Sequence, residues 1–399
     1  MKFTTYIFIV LFTIIGYNAS SQHNSTAYRY YDDSLGKYGF KNYYDQIIIE
    51  AIYDYCTGIN EENYRKHGLI RVVLNRKNNF MNLQEKYISP IFFADCGDFH
   101  EGLAMIKIDS GTYGYINPLG EVIIPPIYYD TYRFSDGYTS VMLKNNKWKY
   151  IDKKGESISD SIFDIAHEFS DGFAKVGIIN GKKKYWGYID QNGFPVVPIR
   201  YDWVNPPSQT DSISLVFQGK VRDYKWGGGH SYDGKWGIVR NGVEIISVKY
   251  DDEIYFKGDL ALVKKGEKYG IYNKKGKLII DIKYDYISYA RGRAIVKNGK
   301  KWGIINLLGQ FIVPFKQFDY IDDFNIVNQN TDYARVYIGK TDFEGYPIEG
   351  KGKWGYINNL GKIMLPLIYD SVGIFEEGKA KVQKGNEEFY IDSNGVRVN

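Results

Sequence analysis

The sequence predicts an all-β protein built from tandem three-stranded antiparallel units, and three observations predict it. A nine-residue phrase recurs about ten times along the chain, aromatic residues and glycine are over-used, and no long helical periodicity follows the first 21 residues. Copies of the phrase include Lys147-Trp148-Lys149-Tyr150-Ile151-Asp152-Lys153-Lys154-Gly155 and Tyr185-Trp186-Gly187-Tyr188-Ile189-Asp190-Gln191-Asn192-Gly193. A unit this small cannot bury its own apolar face, so the units must stack. The 38 Tyr and 22 Phe favour strands and the 42 Gly favour turns and bulges, while only 11 Pro argue against a proline-rich stalk. An array of equivalent units makes a long surface, whereas catalysis needs one asymmetric site.

The chain opens on what reads as an export signal over residues 1–21. Lys2 supplies the positive start, Phe3 to Tyr17 an apolar run, and Ala19-Ser20-Ser21 a small-residue cleavage site. The run is shorter than the ~20 residues a membrane span needs, and no Cys follows closely enough for a lipid anchor. The mature chain is therefore expected to carry no transmembrane span and to reside in the periplasm, on the outer surface or outside the cell. Residues 22–35 read as a lead-in segment and 36–399 as the repeat array.

Within the array the aromatic that opens each phrase falls at Tyr38, Phe80, Tyr113, Trp148, Trp186, Trp236, Tyr269, Trp302, Trp354 and Phe389, with a basic period near 33–35 residues. The first strand runs from that aromatic to an Asp or Asn, as in Trp186 to Asp190, and Gly187 leaves room for close approach of another backbone. A tight reversal follows, with Asp or Asn accepting local amides and Gly three residues on supplying positive φ (Asn117 with Gly120, Asp152 with Gly155, Asn306 with Gly309). The second strand is Glu121-Val122-Ile123-Ile124-Pro125 or its equivalents. Pro125, Pro198, Pro314 and Pro366 mark a bulge, a strand end or an unpaired edge, because proline lacks the ladder donor. A Tyr-Asp pair comes next, as in Tyr129-Asp130 and Tyr284-Asp285. The third strand carries a small residue (Ala104, Ala174, Ala261, Ala294, Ala334, Ala380) suited to a narrow part of the core.

This order of anchors, K-W-G-Y-I-(D/N)-x-x-G followed by I-I-P-x-x-Y-D and F-x-x-G-x-A-x-V, resembles the bacterial WG-containing repeat family from about Gly36 onward. Phe80-Met81-Asn82-Leu83 has lost the Trp-Gly pair, Lys149 replaces the Gly, and Arg240 replaces the Asp or Asn. The resemblance implies architecture more than activity. There is also a weaker likeness to aromatic-glycine hairpin repeats that bind bacterial cell-wall polymers. Units shorter than a ~40–45-residue propeller blade, and more numerous than a ring's usual 4–8, favour an open twisted β array. The alternative is a closed, propeller-like ring.

Cys56 and Cys96 fall at near-equivalent positions of the first two units. In an exported protein such a pair either closes a disulfide or fills a seam as two buried thiols. The five His show no metal-ligand spacing, and no nucleophile elbow or phosphate loop is present, so no catalytic residue, metal or cofactor is expected. The net charge of +4 is mild and interspersed, which argues against nucleic acid. Trp148, Trp186, Trp236, Trp302 and Trp354 read as structural anchors packed in seams, and the Asp column as acceptors for turn amides. The rhythm breaks twice, before Trp236 and before Trp354, and insertions of this kind map to exposed loops. Their aromatic and imidazole side chains, Trp226, His230, Tyr232, Phe343 and Tyr346, are the candidate ligand contacts. The expected function is a secreted, non-catalytic binding or scaffold module meeting protein or cell-envelope glycan. The alternatives are an envelope or adhesion spacer without ligand, and a polysaccharide hydrolase.

Overall fold

The computed structural model describes residues 27–59, 61–223, 230–326 and 332–398. The export signal read over 1–21, like all of 1–26, lies outside the described residues. Two compact bodies divide the chain: residues 1–146 with 150–157, and residues 147–149 with 158–399. Ten small antiparallel sheets are present among the described residues, and none closes on itself.

The fifth sheet gives the pattern: Ile165–Ser170, Phe173–Asn180, Lys183–Asp190 and Pro195–Tyr201 pair in that order. The three strands expected of each unit are there, but a sheet does not coincide with one phrase. It begins just after Tyr-Asp, and a short extra strand leads it, often two residues long, as in Trp203–Val204 and Ser371–Val372. Residues 22–35 are not a separate lead-in throughout: Ala27–Asp32 pairs with Lys37–Asn42 in the first sheet. One six-residue helix, Glu62–His67, precedes the second strand of the second sheet and ends on the left-handed Gly68.

The glycine of the phrase earns its place through close approach. Where Trp186 faces Tyr201 and Tyr188 faces Val197, four residues of the last strand oppose two of its neighbour, so Pro198 lies inside a bulge. That bulge drives a carbonyl into the glycine. A Cβ on Gly39, Gly355, Gly237 or Gly270 would sit 2.5, 2.6, 2.8 and 2.8 Å from the carbonyl oxygens of Ile49, Leu365, Ile246 and Ile280. In the second and fourth sheets Asn79 and Lys149 hold this position, and there the last strand is replaced by isolated bridges, Asn78 to Phe93 and Trp148 to Phe163. Strand pairing also corrects two anchors. Arg71 faces Phe80 as Lys175 faces Tyr188, so Phe80 holds the tyrosine slot and Asn78 the anchor slot. Val382 faces Phe389 as Val176 faces Gly187, which puts Phe389 in the glycine slot and Glu388 at the anchor.

The core lies in the seams between consecutive sheets. Tyr188, Val197 and Tyr201 of the fifth sheet meet Val204, Val216 and Val239 of the sixth. Ile271, Ile280 and Tyr284 of the seventh meet Ile287, Ala294 and Val296 of the eighth. The alanine column is buried throughout, from Ala104 and Ala174 to Ala380. Turn glycines reach across the same seams, as where Gly193 packs on Ser159 and Gly276 on Ile245.

Cys56 and Cys96 are free, which corrects the disulfide reading. Equivalent positions point into successive seams and not at each other. Cys56 packs between the first and second sheets with Phe40 and Ile49, and Cys96 between the second and third with Phe80 and Phe99. Burial pushes both thiols up to about 12.

Candidate functional site

Each repeated polar column finds its partners inside the fold. In the turns, Asn or Asp accepts the amides two and four residues on: Asn117 from Leu119 and Glu121 at 3.0 Å, Asp190 from Asn192 and Phe194 at 2.9 Å, Asn358 from Leu360 at 3.0 Å and Lys362 at 2.9 Å. The aspartate of Tyr-Asp serves two partners. One oxygen takes the lysine preceding the anchor aromatic, in Lys37–Asp54, Lys147–Asp164, Lys235–Asp251, Lys268–Asp285 and Lys353–Asp370. The other accepts a hairpin amide, from Gly299 to Asp285 at 2.6 Å and from Gly385 to Asp370 at 2.7 Å. The Lys37 ammonium holds Asp54 below the usual carboxylate range, and Lys353 does so for Asp370. For Asp164 the Ile179 amide is the larger cause, with Lys147 second. Lysine and aspartate of the motif are thus one structural pair, and the column is turn chemistry. Among the described residues no three His, Cys, Asp or Glu side chains gather as metal ligands.

The two insertions are extended versions of one hairpin, Ile213–Asp223 with His230–Arg240 and Asp332–Thr341 with Pro347–Asn358. Each carries a cross-strand glycine pair beside the anchor, Gly219 with Gly234 and Gly339 with Gly352. A ring folds over each pair: a Cβ on Gly234 would lie 2.6 Å from Phe217 Cζ, and Gly352 lies against Tyr337. The similarity is legible afterwards in Val216-Phe217-Gln218-Gly219-Lys220 and Val336-Tyr337-Ile338-Gly339-Lys340. The second tip, Asp342 to Tyr346, repeats the array's own turn, with Asp342 accepting the Glu344 and Tyr346 amides at 2.9 Å.

These hairpins reach the core as well as the surface, and Tyr346, one of the expected ligand contacts, is 37 % exposed while it packs inward. Tyr232 is half-buried in an aromatic group, with ring centroids 4.8 Å from Trp236, 5.1 Å from Phe217 and 5.6 Å from Trp203. Tyr346 packs edge-on against Trp302 at 5.7 Å, and Lys297 Nζ lies 4.6 Å from its ring centre. Trp302 Nε1 donates to the Gly345 carbonyl at 3.0 Å, so the tip closes over the eighth sheet's anchor. Phe343, at the apex, is 81 % exposed and remains a contact candidate. Trp226 lies outside the described residues, as does the His230 side chain, although the His230 backbone pairs with Asp223. Trp236 and Trp302 are buried, each 3 % exposed, and these are the two that the insertions cover. Trp148, Trp186 and Trp354 are half-buried, so seam packing describes them only in part.

What sequence reasoning missed is the exposed apolar residue at turn tips. Tyr43, Tyr44, Leu119, Leu308 and Leu360 all face solvent, and for the three leucines the x-Leu-Gly pattern of the turns was the signal.

No curated protein matches the chain. Among solved structures it is similar to a eukaryotic initiation factor (9 % identity, 85 % of this chain and 95 % of that one, TM-score 0.32). It is also similar to BamB from Moraxella catarrhalis (10 %, 83 % and 92 %, TM-score 0.25) and to the computationally designed Ika8 protein (11 %, 76 % and 93 %, TM-score 0.25). The WG containing repeat model matches residues 80–111, 113–148, 150–182, 186–220, 240–269, 269–302, 302–340 and 354–387. With more than half of its length matched, and with the Trp-Gly pair explained by the bulge it accommodates, the chain belongs to the WG containing repeat family.

Proposed function

We propose that this protein is an exported, non-catalytic binding or scaffold module whose repeat surface meets protein or cell-envelope glycan. One observation carries the reading. The polar columns that recur along the array are consumed by turns and lysine–aspartate pairs, while apolar residues recur at exposed tips, in Leu119, Leu308, Leu360 and Phe343. A surface of this kind offers repeated weak contacts and no single reacting centre. Export is supported by Lys2 and the apolar run that follows it. The test is a pull-down of envelope fractions with the full chain, repeated after Leu119→Ser, Leu308→Ser and Leu360→Ser together. Saturable capture that weakens in the triple variant is expected. Capture of nothing, or capture indifferent to those leucines, would overturn the reading.

A further inference from the structure

In the first, second and ninth sheets an arginine at one slot ties the sheet to the next; Met105, Leu215, Leu262 and Ile295 hold that slot in the third, sixth, seventh and eighth, and a lysine holds it in the fifth. The slot faces the residue after the motif glycine's position: Arg29 faces Phe40, Arg71 faces Phe80, Arg335 faces Tyr356 and Lys175 faces Tyr188. Each arginine donates to a carbonyl on the leading strand of the next sheet. Arg29 reaches Cys56 O at 2.6 Å, Arg71 reaches Cys96 O at 2.7 Å, and Arg335 reaches Val372 O at 3.1 Å. The matching carbonyl for the fifth sheet is that of Val204, whose strand pairs as Ser371–Val372 does.

Lysine 175 makes no such tie. Its Nζ lies 4.6 Å from the Trp186 ring centre, and among the described residues no carboxylate is paired with it. The seam opens there into a cavity of about 310 Å³ lined by Lys175, Phe173, Tyr188, Asp171, Pro206 and Pro207. That volume is at the lower end of the ~300–1,000 Å³ typical of small-molecule sites. Burial lowers the Lys175 pKa from the ordinary lysine value because the ammonium is partly desolvated, a cost that an anion beside it would offset. The tenth sheet supplies a contrast: Lys381 holds the same slot opposite Tyr390, but it is paired with Glu388 at 2.8 Å.

We propose that this seam is a subsite for a pyranose bearing one carboxylate, a hexuronate, with Lys175 holding the carboxylate. Phe173, Tyr188 and the two prolines offer flat apolar walls to the C–H face of the ring. Asp171 and Ser170, which also line the cavity, accept sugar hydroxyls, and the Asp171 carboxylate disfavours a multiply charged phosphate or sulfate. The cavity is open on one side, and its volume is that of a single sugar ring. The assignment rests on the reading of the protein as a glycan-contacting module and narrows it to one site.

The test is calorimetric titration of the full chain with glucuronate, with glucose as the uncharged control, alongside Lys175→Met and Lys175→Arg. Methionine already holds this slot in the third sheet, where Met105 faces Tyr115, so the fold accommodates it. The wild type should bind glucuronate and not glucose, and Lys175→Met should weaken binding by at least about tenfold, the scale of losing one charge-assisted contact. Lys175→Arg should abolish binding and raise the melting temperature, because the guanidinium then reaches the Val204 carbonyl. Glucuronate binding that is absent, or equal in Lys175→Met, overturns the site. If envelope capture persists while glucuronate fails, only the subsite falls; loss of both sinks the wider reading too.

Discussion

Replacing Gly114 with alanine tests why this family keeps a glycine after its aromatic. The added Cβ would lie 2.7 Å from Pro126 N and 2.8 Å from the Pro125 carbonyl carbon, with Ile124 O closer still. All three are backbone atoms of one bulged strand, two of them in a Pro-Pro step, so no side chain can swing aside. Overpacking of this kind costs about 1–3 kcal/mol, and rigid surroundings place Gly114→Ala toward the upper end. Against that stands the ~0.4–1 kcal/mol by which alanine reduces the freedom of the unfolded chain. The net expectation is a loss of about 2 kcal/mol. Because repeat arrays unfold in parts, the assay is amide exchange read on Val122–Tyr128, with thermal melting as a second readout. Exchange there should accelerate about 30-fold, the equivalent of 2 kcal/mol at 25 °C, while Val243–Tyr250 stays unchanged. Unaltered exchange on Val122–Tyr128 would refute the close-approach account.

Trp302→Ala should cost about 3–5 kcal/mol as a buried aromatic truncation, and more than Trp148→Ala, whose ring is half-exposed; equal losses in denaturant titrations would contradict the covering role of the second insertion. Thiol reagents should find neither Cys56 nor Cys96 in the native protein and both after denaturation, and reductant should leave the melting temperature unchanged. The lysine-paired aspartates Asp54, Asp251 and Asp370 have lowered folded pKa values. Their contribution is therefore present above the unfolded carboxylate value of about 3.9 and is lost as pH falls through the folded values. Melting temperature should accordingly hold from neutral pH to about pH 5 and drop below about pH 4, modestly per pair because the groups are exposed; a drop already at pH 6 would point to other groups. Phe343→Ser should leave melting unchanged and weaken envelope capture, since the ring is solvent-exposed.

The repeat rhythm made the strands and turns legible because each turn is closed by residues two to four apart, in an Asx acceptor and a positive-φ glycine such as Gly193. The close approach at Gly187 was also readable, as a missing side chain. The register of the second and tenth units was not. Asn78 and Glu388 carry none of the aromatic character that marks the slot, so Phe80 and Phe389 drew the alignment off by one or two residues. The disulfide reading failed for a related reason: equivalent positions in stacked sheets are one seam apart, and sequence equivalence does not report which seam a side chain enters. The insertions were legible as breaks in the rhythm but their inward contacts were not, because nothing local to Tyr346 encodes that Trp302, 44 positions earlier, lies beneath it. The Lys175 slot became visible only once strand pairing aligned it with Arg29, Arg71 and Arg335.

Hydrogen exchange along the whole chain tests the central claim, that the motif glycine admits a bulged last strand and that Asn79 and Lys149 in its place leave only isolated bridges. Protection should recur unit by unit, covering Val122–Tyr128, Pro195–Tyr201 and Leu278–Tyr284, and should lapse over 158–162, where Lys149 stands in the glycine's place. Protection over 158–162 as strong as over Pro195–Tyr201 would contradict it.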